Sequence, residues 1–579
     1  MPDESFDAVI VGGGAKALYM ALYLTKYAGM TCGIFEQRHE IGGGLATEET
    51  AAAGFRGNPH AVMMLPWYHA PTWRDFPELW DFGLQFDQHL CSDGAVFLKD
   101  ETCLAIYSDK HDPTQERTAK EIARFSESDA EKWLKLRKMW TGDAMQRVQM
   151  DMMFLPAEER LTDPNVMIRA AELYPEFLEA GFNIDSLIMA ASPLRVAREF
   201  WESPELQYCA LRFNLSSAID ITQPGHGMVM IGSSANLPNL SFIKGGTHQV
   251  AHAAHQLLVR EGCRFFTHCR VDKVIIENGE AKGIRLADGS EIKARKLVVS
   301  TLSPNQLVFD LIGKEHFSRS EARRVELLED SFQCLMWYAF ALREAPKYKA
   351  AAFNPDINEC FWLGLAEAAD PMHIARECMW SRLGKWPPPI EDYGPVVWCH
   401  SQVDPSFAPE GHHVASTEQI GPPATMFTEK EWMDVRQRYA EDLISIWEKH
   451  ATNMNWDNII GCDYNSPIDA LKTLNRHPNG NMNVIDHDPC QFWENRPTPY
   501  LANHRTPVKN LYATGAGWSL PTSGSSEAYC CYKIIAKDMG LGKPWEEPGK
   551  EEPDSLVEQV RLCLKRIRDS AQENPSQGE

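Results

Sequence analysis

The feature that most constrains the fold is a glycine-rich turn close to the start of the sequence. An apolar run, Phe6–Val11, leads into Gly12–Gly14, and a segment rich in helix-forming residues continues from there to Leu24. A second apolar run begins at Met30 and ends in Glu36. Strand, glycine turn, helix and strand within about thirty residues predict the βαβ unit that binds dinucleotides.

The turn has the residue spacing of a pyrophosphate site. Gly12 permits a tight turn, and Gly14 lets the backbone approach a pyrophosphate. Ala15 and Lys16 lie at the start of the predicted helix, where unpaired N–H groups favour anions. Ala17 stands where a third glycine is usual and still allows the helix to pack against the strand. The alternative is a purely structural βαβ unit.

The residues after the second strand predict further contacts with a dinucleotide. Glu36 is placed to accept hydrogen bonds from ribose hydroxyls, and its charge would repel a 2′-phosphate. Gln37 follows, and Arg38 would supply charge-assisted hydrogen bonds to phosphate. A second glycine cluster, Gly42-Gly43-Gly44-Leu45, predicts backbone against the diphosphate and the linker of a flavin. Simple NAD enzymes do not need this second cluster.

Together these motifs resemble the FAD-binding start of the phytoene desaturase and flavin amine oxidase superfamily. Further segments extend the resemblance over most of the chain: Gly54–His60, Phe242–Gly246, Asn479–Asn481, Gln491, Arg496-Pro497, Thr506-Pro507 and Leu511–Gly517. The resemblance implies FAD as cofactor, with further contacts from Val271, Gly515, Gly517 and Ser525. The stretch from Trp518 to Ser526 departs from the His-Pro-Gly-Gly-Gly run of the phytoene-dehydrogenase-like branch.

The predicted fold class is α/β (α+β overall), with a Rossmann-like FAD-binding domain assembled from discontinuous segments plus a mixed substrate-binding domain. Residues 271–301 predict a small antiparallel meander that returns to a buried strand, and residues 510–515 predict one more buried strand. The stretches between the FAD-binding parts carry helical patterns. The expected division is 1–75, 236–314 and 476–545 for the FAD-binding domain, 76–235 and 315–475 for the substrate domain, and 546–579 for a C-terminal helix and tail.

Three residues are candidates for the chemistry: His60, Trp518 and Glu527. If the C-terminal resemblance holds, Trp518 and Glu527 fall around the flavin ring, with Glu527 as a base or simply as a charge at a helix start. His60 is a polar group near the ring or a hydrogen-bonded structural histidine. No second Gly-x-Gly-x-x-Gly with a strand before it and a helix after it occurs, so a dedicated NAD(P)H domain is not expected.

A metal site is not expected. His248, His252 and His255 share one face of a predicted helix, but zinc would need a further ligand, and no His-Glu-x-x-His motif occurs. The formal net charge of −23 argues against nucleic acid as a partner. The fifteen cysteines contain no Cys-x-x-Cys pair, which favours reduced thiols and a cytoplasmic location.

Membrane attachment is expected to be peripheral at most. No apolar run approaches the ~20 residues that span a bilayer, and residues 1–5 lack the features of a signal peptide. A C-terminal amphipathic helix carries Leu556, Val557, Val560, Leu564 and Ile567 on one face. It is predicted to dock on the protein's own body or on another subunit, with a membrane-surface helix as the alternative, and the residues from Asn574 onward are predicted to be disordered.

The sequence therefore predicts an FAD-dependent oxidoreductase of the phytoene-desaturase-like type. It would dehydrogenate a small apolar substrate, alicyclic or polyene, with isomerisation of that substrate as an alternative. Hydride would pass to flavin N5, and the electrons would leave to oxygen, a quinone or a carrier protein. The first alternative is a flavin amine oxidase. The second is a lipid- or prenyl-binding protein without redox chemistry, such as the Rab GDP-dissociation inhibitors.

Overall fold

The computed structural model describes residues 4–518 and 524–572. Within these ranges the strands form two seven-stranded sheets and two short pairs. In chain order the strands are β1 Ser5–Val11, β2 Cys32–Phe35, β3 Glu48–Ala52, β4 Phe55–Gly57, β5 Phe86–Asp87, β6 Cys91–Phe97, β7 Thr102–Tyr107, β8 Phe242–Ile243, β9 Arg264–Phe266, β10 Val271–Glu277, β11 Glu280–Leu286, β12 Glu291–Ser300, β13 Cys334–Leu342, β14 Cys360–Ala366, β15 Val396–Cys399, β16 His413–Gly421, β17 Ile459–Asn465 and β18 Leu511–Ala513.

Helices cover the sheets and connect them. In chain order the α-helices of the described ranges are α1 Ala15–Lys26, α2 Ala70–Asp75, α3 Glu116–Ala123, α4 Glu127–Trp140, α5 Asp143–Phe154, α6 Ala157–Thr162, α7 Pro164–Glu172, α8 Tyr174–Glu179, α9 Ser186–Ala190, α10 Pro193–Phe200, α11 Pro204–Ser216, α12 Gly227–Asn236, α13 His248–Arg260, α14 Arg319–Glu326, α15 Pro371–Arg382, α16 His400–Val403, α17 Glu429–His450, α18 Pro467–Leu474, α19 Ser526–Met539 and α20 Asp554–Gln572.

The first sheet contains the predicted βαβ unit. Its strand order is β10-β11-β12-β1-β2-β9, and β18 lies beside the C-terminal part of β12. Strand β1 runs parallel to both β2 and β12, and β2 runs parallel to β9. Strands β10, β11 and β12 form the antiparallel meander that the Asn-Gly and Asp-Gly turns predict. The prediction of an α/β fold with a Rossmann-like unit is confirmed.

Both faces of β1 are buried, which explains its continuous apolar sequence. Ala8 and Ile10 belong to the core shared with helices α1, α13 and α19. Val9 and Val11 belong to a second core on the opposite face, together with residues of β10 and β11. A strand covered on both sides needs no polar alternation. The carboxyl end of β1 therefore leads the glycine turn into the interior of the protein.

The second sheet faces the first across the centre of the molecule. Its strand order is β17-β13-β16-β15-β14-β6-β7, and its described neighbours are antiparallel except for β14 and β6. On one face, Trp337, Trp362 and Trp398 join the core of the first sheet. On the other face, Met336 and Leu363 pack with helix α17 in a separate core. A mixed substrate-binding domain is predicted for these stretches of the sequence, but the pairing of these strands is not.

The C-terminal helix α20 docks on the body of the protein, as predicted. Leu556, Val557, Val560 and Ile567 are all buried, and the helix packs against α2 and α5. Arg74 of α2 pairs with Glu552 just before the helix, at 2.9 Å. Residues from Asn574 onward lie outside the described residues. In the part of the chain that the structure describes, no helix is long and apolar enough to cross a membrane.

Candidate functional site

A single cavity of about 930 Å³ extends from the glycine turns of the first sheet to the second sheet. One end is lined by backbone and polar groups: Val11–Lys16, Phe35–Arg38, Gly42–Leu45, Cys269–Lys273, Thr301–Ser303 and Gly515-Ala516. The other end is lined mainly by large apolar side chains: Phe213, Leu335, Trp337, Trp362 and Met482. Deep clefts that combine a polar end with an apolar end are typical of cofactor and substrate sites.

The two glycine clusters pack against each other and against β12. Gly12 has a φ of +93°, and a Cβ on it would lie 2.4 Å from the hydroxyl oxygen of Thr301. A Cβ on Gly43 would lie 3.1 Å from the Cα of Gly14. Only backbone fits at these positions, so the cavity wall there is made of peptide groups. Such a wall admits a pyrophosphate close to the start of α1, where N–H groups favour anions.

Glu36 is held in place at the end of β2. Its two carboxylate oxygens accept hydrogen bonds from the backbone N–H of Gly13, at 2.6 Å, and from that of Arg38, at 2.7 Å. Glu36 lines the cavity, so the predicted role toward a ribose is sterically available. Gln37, which follows it, also lines the cavity.

Arg38 also lines this wall, and one nitrogen of its guanidinium makes no hydrogen bond to the described residues. It pairs with Glu40 at 3.2 Å and with Glu48 at 3.4 Å. Its Nη1 atom is buried and has no hydrogen-bond partner among the described residues. A buried donor without a partner costs about 1–3 kcal/mol. The predicted phosphate contact would remove this cost.

The sequence analysis missed a second arginine, Arg476. A Cβ on Gly44 would lie 3.0 Å from its Nη2 atom, so the third glycine of the cluster makes room for the guanidinium. Arg476 lines the cavity, and no hydrogen bond or ion pair of its side chain occurs within residues 4–518 and 524–572. Burial lowers the pKa of Arg476 to about 10, so it stays charged at neutral pH. In the sequence, nothing marks Arg476 except its position directly after Asn475. In the structure, Asn475 ends α18 with a φ of +54°.

His60 lines the cavity close to both arginines. Burial, with the positive charges of Arg476 and Arg38, lowers the pKa of His60 to about 3. The imidazole is therefore neutral at physiological pH and is a weak base. The structure supports the predicted position of His60 beside the cavity and favours a neutral hydrogen-bonding role over proton abstraction.

Glu527 lies behind the cavity wall. Its carboxylate is fully buried and pairs with Lys16 at 2.8 Å, and Lys16 also donates a hydrogen bond to the carbonyl of Gly524. This pair ties the start of α1 to the start of α19. Glu527 does not line the cavity. The pairing with Lys16 fits the second role predicted for Glu527, a charge at a helix start, and its role as a base stays a prediction.

Trp518 is likewise absent from the cavity wall. Its indole is fully buried in the core beside β18, and Nε1 donates a hydrogen bond to the carbonyl of Leu501 at 3.1 Å. Trp518 thus packs in the core beneath the described part of the cavity wall, and its place around a flavin ring stays a prediction. The neighbouring residues 519–523, part of the segment that departs from the family pattern, lie outside the described residues.

The remaining predicted cofactor contacts divide into two groups. Ala15, Leu45, Val271 and Gly515 line the cavity, as do Gly12, Gly14, Lys16, Gly43 and Gly44. The other three residues, Ala17, Gly517 and Ser525, do not. The backbone N–H and the hydroxyl of Ser525 both donate to the carbonyl of Tyr68, at 2.9 and 3.3 Å. A Cβ on Gly517 would lie 2.8 Å from the ring of Pro304, so this glycine serves close packing.

The three histidines of α13 have separate environments. Nδ1 of His248 lies 3.0 Å from the carbonyl oxygen of Leu45, and the ring of His255 packs edge-on against Phe265 at 4.5 Å. His252 hydrogen-bonds to Gln256 on the same helix. Among the described residues, no group of three or more His, Cys, Asp or Glu side chains could hold a metal ion.

The apolar end of the cavity contains one acid that the sequence analysis also missed. Glu418 lies on β16 directly opposite Trp337 of β13, so both side chains point from the same face of the second sheet. Burial raises the pKa of Glu418 to about 8, although a hydrogen bond from Ser216 and the charge of Arg212 act in the opposite direction. Glu418 therefore carries a proton at neutral pH. In the sequence, Glu418 belongs to none of the motifs described above.

Comparisons with known proteins agree with this geometry. Residues 10–82 match the model of the family described as NAD(P)-binding Rossmann-like domain. One subunit of the limonene dehydrogenase of Castellaniella defragrans is 26% identical over 572 residues, which cover 94% of this chain and 96% of that protein. A lycopene-forming phytoene desaturase of a Paracoccus species is 24% identical over 281 residues, which cover 48% of this chain and 50% of that protein.

The fold also has counterparts among solved structures. A variant of putrescine oxidase matches with a TM-score of 0.54 at 14% identity, covering 93% of this chain and 100% of that chain. At 14% sequence identity, this match indicates a similar fold and says nothing about the substrate of this chain.

Proposed function

We propose that this chain, a member of the superfamily of FAD-dependent oxidoreductases, binds FAD in the cavity between its two sheets and dehydrogenates an apolar substrate. The chain is an enzyme related to limonene dehydrogenase and the phytoene desaturases. Its assignment as an oxidoreductase disfavours the prenyl-binding alternative, which lacks redox chemistry. What remains to be tested is the cofactor, the substrate and the hydride transfer.

The observation that carries the proposal is the continuity of the cavity. A wall of glycine backbone with Glu36, Arg38 and Arg476 lies at one end, and an aromatic and aliphatic wall lies at the other. Glu36 would hold the ribose, and the two arginines would offset the negative charge of the diphosphate. When bound, FAD supplies an acceptor for two electrons and a hydride.

The protein's own residues suit an apolar substrate. Phe213, Leu335, Trp362 and Met482 present apolar side chains to the cavity, where they would hold a substrate C–H bond near the cofactor. Two relatives are named for limonene and for phytoene. We therefore propose an alicyclic or polyene substrate for this chain as well. The amine oxidase alternative is supported by the fold alone.

The test starts with the purified protein. We expect it to carry the visible spectrum of oxidised flavin, and heat-released cofactor to co-migrate with FAD. Mixing the protein with limonene, a second cyclic terpene or a short polyene in the absence of oxygen should bleach that spectrum for at least one of them. A colourless protein that cannot be reconstituted with FAD would contradict the proposal. Reoxidation by oxygen, a soluble quinone or a carrier protein would then identify the electron acceptor.

A further inference from the structure

The apolar end of the cavity is not uniformly apolar. The carboxyl of Glu418 lies in its wall without a counter-ion, since the nearby guanidinium of Arg212 is paired with Glu377 at 2.7 Å. No ion pair of Glu418 occurs in the described part of the chain. Ser216, at the end of α11, is the hydroxyl that hydrogen-bonds the carboxyl, and it also lines the cavity. An acid without a counter-ion is thus held in a wall that also carries large apolar side chains.

The same wall contains donors that have no acceptor. The indole Nε1 atoms of Trp337 and Trp362 are buried and have no partner among the described residues. His487, a cavity-lining residue that is 5% exposed, has a hydrogen bond with the backbone of Ser217, which leaves one ring nitrogen without a partner there. Native proteins pair the great majority of their buried polar groups, so these unpaired groups around one cavity call for an explanation.

We infer that this end of the cavity binds an oxygen-bearing group, a hydroxyl or a carbonyl, of an otherwise apolar substrate, with Glu418 as the hydrogen-bonding anchor. The inference rests on the proposed function and narrows its substrate class from hydrocarbons to terpenoid-like alcohols or ketones. Glu418 and Ser216 would hold the oxygen, and an indole N–H beside them would complete its hydrogen bonds.

The donor and acceptor types select oxygen over nitrogen. Indole N–H groups can only donate hydrogen bonds, so they need a lone pair on the ligand. A hydroxyl or carbonyl oxygen has lone pairs, whereas an ammonium group has none and a hydrocarbon offers no polar atom. The ammonium form of an amine would therefore satisfy Glu418 and leave Trp337 and Trp362 unpaired. An oxygen atom serves both kinds of group.

The experiment compares matched ligands on the flavin-loaded enzyme. The probes are limonene with perillyl alcohol and perillylamine, and farnesene with farnesol. Dissociation constants are measured by quenching of tryptophan fluorescence and by perturbation of the flavin spectrum. A site built to hydrogen-bond a substrate oxygen discriminates strongly against analogues that lack it. We expect an alcohol to bind at least tenfold more tightly than its hydrocarbon in at least one pair, and the amine to bind more weakly than the alcohol.

Three variants test the residues. Glu418→Leu should abolish the preference for alcohols, and Glu418→Gln, which keeps a donor and an acceptor in the same shape, should retain most of it. His487→Phe should reduce the preference and spare binding of the hydrocarbon. The control is Thr417→Val, since Thr417 is the preceding residue on β16, fully buried, and on the opposite face of the sheet. It should leave the preference unchanged.

Two failures are distinguishable. A protein that never binds FAD contradicts the proposed function. A flavin-loaded enzyme with no preference for alcohols in either pair, including one that binds neither member, overturns the present inference and leaves the redox assignment standing. Tighter binding of the amine than of the alcohol would also overturn it. If Glu418→Leu does not fold, Ser216→Ala replaces it and should lower the alcohol preference in the same direction.

Discussion

At the scale of single residues, the two arginines on the cavity wall are not equivalent. Arg38 is already paired with two glutamates, whereas the guanidinium of Arg476 has no partner in the described chain. Replacing Arg476 by Ala should therefore weaken FAD binding by about tenfold or more, because a hydrogen bond to a charged group contributes about 1.5–3 kcal/mol. Equilibrium dialysis of the apoprotein against FAD measures this.

Gly44→Ala should act in the same direction as Arg476→Ala but less strongly. The added Cβ would lie 3.0 Å from Nη2 of Arg476 and would displace the guanidinium. The matched control is Arg438→Ala, an exposed arginine on α17, which should keep full FAD affinity. Equal affinity in all three variants would show that Arg476 does not contact the cofactor.

The buried acid predicts a pH dependence of stability. The pKa of Glu418 is about 8 in the folded protein against 4.5 ordinarily, so between these values unfolding releases a proton. The contribution of Glu418 to the free energy of unfolding therefore falls as the pH rises from about 4.5 to about 8. Above about pH 8 this contribution is constant. Arg212 and Glu377, the charged neighbours of Glu418, pair with each other.

Glu418→Gln removes this loss of stability. The melting midpoint of the variant relative to wild type should rise between about pH 5 and about pH 8, by an amount that corresponds to at least about 1 kcal/mol. Thermal melting of the apoprotein in parallel buffers measures it. Thr417→Val changes no titratable group and should show a constant difference. A constant difference for Glu418→Gln as well would mean that the acid is ionised in the folded state.

At the scale of elements, the docking of α20 depends on its apolar face. Val560 is 3% exposed, whereas Leu562, two residues further along the same helix, is 42% exposed. Val560→Asp places an unpaired charge against α2 and α5, at a cost of about 3 kcal/mol or more. We expect earlier melting and faster proteolysis of residues 554–572, with little change for Leu562→Asp. A helix that tolerates both changes equally would not be docked through this face.

Elements formed by local sequence were predictable, and those formed by distant pairing were not. The βαβ unit and the meander of β10–β12 follow from apolar runs and turn residues that are adjacent in sequence. The second sheet pairs β14 with β6, whose partners Cys360 and Cys91 are far apart along the chain. No local sequence pattern indicates such a partner. The prediction for these stretches therefore described only the helical patterns between the strands.

At the scale of the whole molecule, the same limit applies to the site. The candidates Gly12, Gly14 and Glu36 were identified from their spacing along one strand–turn–helix–strand unit, because their predicted roles depend on that local unit. Arg476 and Glu418 were missed because their surroundings come from Gly44 and Trp337, each distant in sequence. Conversely, the family resemblance places Glu527 around the flavin ring, whereas the structure pairs its carboxylate with Lys16, a partner that the residues around Glu527 do not indicate. Tertiary placement decides these roles.

The pair formed by Lys16 and Glu527 also joins two parts of the chain that are far apart in sequence. Lys16 follows β1, and Glu527 lies on α19, which comes after β18, a strand of the same sheet as β1. The wall therefore closes only where both parts are present in one fold. A single backbone cut between them would leave noncovalent contacts alone to hold the wall together.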